Sequence, residues 1–189
     1  FRHKMYKQYK AHRPPSPEEF RTQVPLIKEI VRELGIPIYE QAGFEADDVL
    51  GTIAKKAAHD GFDTVIVTGD RDALQLVNEH IHVLMPQKGV SETREFDTSA
   101  VAEKYEGLTP GQLVDLKALM GDASDNIKGV KGIGEKGAAG LIQEFGTLEN
   151  LYKKIDQADI KTRLKELLQQ YKKEAFDSQH LVTIIKDVP

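Results

Sequence analysis

The stretch Thr64-Val-Ile-Val-Thr68 constrains the fold more than any other part of the chain. Its members are all β-branched, so a pleated strand suits them better than a helix. Its apolar residues run without alternation, as expected of a central parallel strand covered on both faces. Glu45 to about His59 carries Val49, Leu50, Ile53, Ala54 and Ala57 at helical spacing and stops at Gly61. Ile36 to Tyr39 reads as a short strand, Ala73 to Val77 as a short helix and Ile81 to Met85 as a further strand. This β-α-β-α-β order predicts an α/β fold with a doubly wound, mostly parallel sheet.

The flanks read differently. Residues 3–12 could form a basic helix, with Lys4, Lys7, Lys10 and Arg13 three apart, broken by Pro14-Pro15. Ser16-Pro17-Glu18-Glu19 has the form of a helix start, and Pro25 should kink the helix that runs on to Gly35. After Phe96 the pattern is helical, with starts at Thr98 and Thr109-Pro110, an end at Gly121, and segments over 135–145, 148–153, 160–171 and 173–184. The 189 residues therefore divide into an α/β part, 1–108, with a basic segment at 1–16, and a helical part, 109–189.

Composition excludes some chemistries. There is no cysteine, hence no disulfide and no thiolate metal site, which suits a reducing cytoplasm. No apolar run is long enough to cross a bilayer and no signal peptide is visible, so no membrane partner is expected. The chain opens at Phe1 rather than at a methionine, and both ends read as cut. The net charge of −4 argues weakly against nucleic acid. Its distribution argues the other way, because residues 1–17 hold Arg2, Lys4, Lys7, Lys10 and Arg13 and no acid.

Seven acidic residues stand in three clusters: Glu45, Asp47 and Asp48; Asp70 and Asp72; Asp122 and Asp125. The first opens a helix, where the dipole alone favours acids. The second follows the strand Val65-Ile-Val, and ligands of open α/β sheets bind beyond the carboxyl ends of strands. The third follows a helix end and by itself reads as a solvated loop. Convergence would change these readings. Two carboxylates about 4 Å apart repel by about 4 kcal/mol at an effective dielectric near 20. A group of them persists only with protons or cations. Carboxylates with water and phosphate oxygens suit Mg²⁺ and Mn²⁺, and two such ions can activate a water and stabilise a leaving oxygen.

The third cluster runs into Gly129-Val130-Lys131-Gly132-Ile133-Gly134, which opens a helix carrying Lys136. Backbone N–H groups at such a turn and helix start form an anion site. With helices on both sides, over about 113–145, the segment reads as a helix-hairpin-helix that holds DNA backbone without reading sequence.

Taken together, Phe1-Arg2-His3, Tyr9-Lys10-Ala-His-Arg13, Gly43-Phe-Glu45-Ala-Asp47-Asp48, Thr68-Gly-Asp70-Arg-Asp72, Leu119-Met-Gly-Asp122-Ala-Ser-Asp125-Asn126 and Gly129 to Lys136 resemble the 5′-nuclease domains found in bacterial DNA polymerase I, related to phage 5′-nucleases and eukaryotic flap endonucleases. The resemblance covers the whole chain in order. It implies a PIN-like core with an arch over the site, a helical DNA-binding region, and removal of 5′ ends, 5′ flaps and RNA primers from branched or nicked DNA. It implies two or more Mg²⁺ or Mn²⁺ ions held by Glu45, Asp47, Asp48, Asp70, Asp72, Asp122 and Asp125. Arg2, Lys10 and Arg13 match residues that engage the scissile phosphate and the 5′ strand. Gly129, Val130, Lys131, Gly132, Ile133, Gly134 and Lys136 match the hairpin that grips the duplex and takes a monovalent cation such as K⁺. The expected state is a cytoplasmic monomer, with a polymerase domain as a covalent neighbour in some members. The family's first strand and two of its Asp residues precede the position matched by Phe1, so the chain as given is expected to be impaired in cleavage. The rival readings are a non-catalytic structure-specific DNA-binding fragment and a stand-alone PIN-like nuclease.

Overall fold

The computed structural model describes residues 1–89 and 91–189. Thr64–Val67 forms β1, Ile81–Lys88 forms β2 and Glu92–Phe96 forms β3, giving a sheet in the order β1-β2-β3. β1 pairs parallel to β2, with Ile66 opposite Val83, and β2 pairs antiparallel to β3, with Val83 opposite Phe96. The architecture is a mixed α/β unit with a small sheet, followed by a helical region.

Helices α1 (Arg2–Met5), α2 (Glu18–Glu33) and α3 (Ala46–His59) precede the sheet. A 3₁₀ turn, Arg71–Leu76, joins β1 to the segment before β2. α4 (Thr98–Lys104), α5 (Gln112–Met120), α6 (Glu135–Phe145), α7 (Leu148–Lys154), α8 (Thr162–Gln170) and α9 (Lys172–Val182) follow it. The core runs continuously from Ile66, Leu74 and Val83 through Leu116 and Leu119 of α5 to Ile142, Leu148, Leu151 and Leu168.

Several expectations are corrected. Ile36 to Tyr39 is not a strand; both ends are exposed and no partner strand faces them among the described residues. The basic segment is one helical turn followed by a loop, because the chain turns extended at Tyr6 (φ −138°, ψ 102°), and Lys10 within the loop adopts a left-handed backbone (φ 54°). α2 starts after Pro17 without a side-chain cap and passes through Pro25 unbroken. β3 was not anticipated, since Glu92-Thr-Arg-Glu lacks apolar alternation and only Phe96 is buried. β1 is covered on one face: Ile66 is buried, whereas Val65 and Val67 are 55% and 67% exposed. Among the described residues β1 has β2 as its one neighbour, so its other edge is open.

Two glycines fix the third acidic loop against the hairpin. A Cβ on Gly129 would collide with the backbone of Leu119, Met120 and Gly121, and one on Gly121 (φ 78°) would lie 2.5 Å from the Gly129 nitrogen. Only glycine permits this crossing. It also lets Asp122 and Ile127 exchange backbone hydrogen bonds of 2.8 and 2.9 Å, closing the loop that carries Asp125.

Candidate active site

The acidic residues arrive from three directions. Glu45 caps α3, and in a capping box its backbone N–H donates to Asp48 (3.0 Å). Asp70 caps the 3₁₀ turn by accepting from the Asp72 N–H at 2.9 Å, which fixes both acids just beyond β1. Asp122 follows the C-cap of α5 and accepts from the Ser124 N–H and hydroxyl at 2.8 and 2.6 Å. A cleft of about 590 Å³ is lined by Asp70, Asp72, Lys117, Asp122, Ser124 and Glu135.

The structure sorts these acids into two kinds. Asp48 is fully buried and salt-bridged to Arg2, whose Nη1 and Nη2 donate at 2.7 and 2.8 Å. The Ile185 N–H donates to the same carboxylate at 2.9 Å. Arg2 also donates to the carbonyls of Leu181 and Thr183, both at 2.8 Å. Burial works to raise the Asp48 pKa, but donors from Arg2, Ile185 and Glu45 outweigh it and hold it below the usual value. Arg2 and Asp48 thus form an internal tie between α1, α3 and the chain at the end of α9, with the donors of Arg2 engaged by protein acceptors.

Glu45 and Asp125 form a second satisfied group. Lys10 Nζ lies 3.0 Å from both Glu45 oxygens and 3.6 Å from Asp125. The Tyr9 hydroxyl stands 3.0 Å from Glu45 and 3.0 Å from Asp125, and Arg13 donates to Asp125 at 2.5 Å. The Lys10 N–H donates to the Asp125 carbonyl at 2.9 Å. The basic segment is therefore strapped to the third acidic loop.

Asp47, Asp70 and Asp72 are different. Asp47 has only charge neighbours, and burial followed by Asp70, Asp72 and Glu45 pushes its pKa up to about 6. Burial also raises Asp72, against the pull of Lys117. Lys117 Nζ contacts Asp72 Oδ1 and lies 2.8 Å from Asp122 Oδ2. Burial opposes the charge on Lys117, but Asp72 and Asp122 raise its pKa.

Lys117 and Tyr9 are the site residues that the sequence did not assign. A lysine in the last turn of a helix reads as a partner of the dipole, and only the loop after Gly121 turns Asp122 back onto it. The hairpin lies beside the cleft. Val130 and Ile133 anchor it in the core, Gly132 (φ 87°) makes its turn, and Lys131, Gly134 and Lys136 are exposed. Gly134 caps α6 without a side-chain bond, and Glu135 reaches the cleft lining.

The acids near Asp47 offer carboxylate oxygens, which suit a hard divalent cation; burial first, then the charges of Asp70, Asp72 and Glu45, raise its pKa against the opposing pull of Lys10. Among the described residues no three acidic or histidine side chains already converge at metal-binding distance. The fit is one of donor chemistry and charge.

Comparison with known proteins identifies the family. Residues 1–106 match the family profile described as 5′-3′ exonuclease, N-terminal resolvase-like domain, and residues 108–189 match 5′-3′ exonuclease, C-terminal SAM fold. DNA polymerase I of Chloroflexus aurantiacus is 48% identical over 191 residues, covering 100% of this chain and 20% of that protein. The chain thus spans about one fifth of the length of that relative. A mutant 5′-exonuclease of phage T5 superposes with a TM-score of 0.78 at 26% identity, over 96% of this chain and 68% of that one. A T5 flap endonuclease variant, solved as a pseudo-enzyme–product complex with DNA and metal ions, gives 0.76 at 26% identity with the same coverage of 96% and 68%. Two matching profiles that between them take in nearly every residue establish that the chain belongs to the 5′-3′ exonuclease family.

Proposed function

We propose that the chain is a structure-specific 5′ nuclease that hydrolyses phosphodiester bonds at the 5′ ends and flaps of branched or nicked DNA, and at RNA primers paired to DNA. The observation that carries this reading is the gathering of Asp70, Asp72 and Asp122 around one cleft beyond β1, with Asp47 close enough to feel the charges of Asp70 and Asp72 and only Lys117 pairing within the cleft. Mg²⁺ or Mn²⁺ held by these carboxylates would supply Lewis-acid polarisation of the phosphate and a water of lowered pKa.

The chain's own residues do the rest. Lys10 and Arg13 are neutralised by Glu45 and Asp125 at the cleft edge, and a DNA phosphate competes with those carboxylates for them. Lys10 then stabilises charge on the scissile phosphate. The N–H groups at the start of α6, with Lys131 and Lys136, hold the duplex backbone beside the cleft. Carbonyls of the hairpin offer a place for K⁺. In this reading the protein acts as a cytoplasmic monomer, and a polymerase on the same polypeptide consumes the gap it opens. Among the described residues no helix is long and apolar enough to cross a membrane.

A second reading is a DNA-binding fragment without cleavage. The test is Mg²⁺-dependent cleavage of a 5′-flap DNA by wild type and Asp70→Asn, beside a single-stranded RNA. The comparison between the two proteins decides. Flap cleavage in wild type and none in Asp70→Asn, at equal DNA affinity, supports the nuclease. Equal turnover in both removes Asp70 from the chemistry. Binding without cleavage in either supports the second reading.

A further inference from the structure

Lys117 occupies ground that a divalent ion would need. Its ammonium contacts Asp72 Oδ1 and lies 2.8 Å from Asp122 Oδ2, while Ser124 takes the other Asp122 oxygen. Both oxygens of Asp122 are therefore engaged, and an ion reaches this carboxylate only by displacing a protein donor. The arrangement is held in place from both sides. Lys117 sits in the last turn of α5, and the Gly121–Gly129 crossing fixes Asp122 just beyond that helix end. The neighbouring ground is open: Asp47 has no hydrogen-bonding partner among the described residues, and Asp70 is engaged through Oδ1 alone.

We propose that Lys117 is a built-in rival of the divalent cation for Asp72 and Asp122, so that the cleft binds its ions unequally. The first ion enters between Asp47 and Asp70, on the side of Asp72 away from the Oδ1 that Lys117 holds. An ion shared by Asp72 and Asp122 must expel the Lys117 ammonium, and binds more weakly for that reason. Lys117 is here a positioning residue: it offsets part of the charge on Asp72 and Asp122 and sets the metal concentration at which the cleft fills. The inference rests on the metal-dependent reading above and adds the order of filling.

The experiment is calorimetric titration of Mn²⁺ into the protein without DNA, at neutral pH. Wild type is expected to show a tighter and a weaker class of site. Lys117→Met should tighten the weaker class by an amount within the usual range for coupled sites, about 5- to 150-fold, and leave the tighter class nearly unchanged. Lys117→Arg, which keeps the charge, should stay close to wild type. Melting temperature gives a second readout, and Mn²⁺ should raise it more in Lys117→Met than in wild type. Should Lys117→Met fail to fold, Lys117→Gln carries the same expectation, since it retains a hydrogen-bond donor without the charge.

Identical Mn²⁺ affinities in wild type and the neutral variants overturn the rivalry while leaving metal binding intact. Mn²⁺ binding that is absent, or indifferent to Asp47→Asn, overturns the metal-dependent reading itself. Weaker DNA binding in Lys117→Met with unchanged Mn²⁺ affinity assigns the lysine to phosphate and also overturns the rivalry.

Discussion

Around Asp48 every carboxylate oxygen has a donor; around Asp47, one residue earlier in the chain, none does among the described residues. Successive residues on a helix point about 100° apart, so one acid turns inward to Arg2 and the other towards Asp70 and Asp72. The inward acid is finished by the protein. It joins α1 to α3 and to the chain after α9, and its charge is cancelled before any ligand arrives. The outward acid keeps its charge uncompensated. Adjacent carboxylates of the same type thus differ completely in their surroundings, one bonded into the frame and one without a hydrogen-bond donor among the described residues.

The widest separation between the two should appear in stability. Arg2→Met leaves Asp48 buried with its strongest donors gone, and breaking a buried pair in this way costs about 3–5 kcal/mol. Urea denaturation should show that loss. Asp70→Asn, at an exposed residue, should leave the midpoint nearly unmoved. The double change Arg2→Met with Asp48→Leu should recover much of the loss, because it removes both charges together. Equal stability of Arg2→Met and wild type would mean that the tie does not form.

The second effect, smaller, lies in the pH dependence, where the two acids have opposite signs. The Asp48 pKa is depressed, so its contribution is present above the unfolded-state value and is lost as pH falls through the folded one. The Asp47 pKa is raised from 3.8 to about 6, so the folded state binds its proton more tightly than the unfolded state does. Stability from this group is full below the unfolded value and declines as pH rises towards 6. In EDTA, Asp47→Asn should therefore melt near wild type at the acid end and above it at neutral pH, with the gap opening between about pH 4 and 6. A gap that stays constant across that window would place Asp47 outside a carboxylate group.

Much of this frame was legible in the residues. The β-branched run ending at Gly69-Asp70 located the second cluster, and the glycine hairpin announced the turn into α6. Other features were hidden for physical reasons. No local pattern distinguishes Asp47 from Asp48, because the partner that separates them, Arg2, lies 46 positions away from Asp48. Lys117 looked like a dipole complement because its carboxylates come from a 3₁₀ turn and from beyond a glycine C-cap. The polar strand β3 is specified by pairing with β2 rather than by its own pattern. The apparent strand Ile36 to Tyr39 had alternation but finds no neighbour to pair with among the described residues.

The hairpin sharpens the comparison from a third side, since its cations are spent on neither kind of acid. Lys131 and Lys136 are exposed at the turn and in the first turn of α6, whereas Lys10 and Lys117 are committed to carboxylates. Replacing both hairpin lysines by alanine should leave melting temperature and Mn²⁺ affinity unchanged. It should weaken binding to a nicked duplex modestly and reduce the slope of log affinity against log salt by about 2, one counterion contact for each lysine. In the proposed reading the remaining slope comes from the other cations at the cleft, Lys10 and Arg13 among them. A slope equal to wild type would move the duplex off the hairpin and leave the acidic cleft without its neighbouring grip.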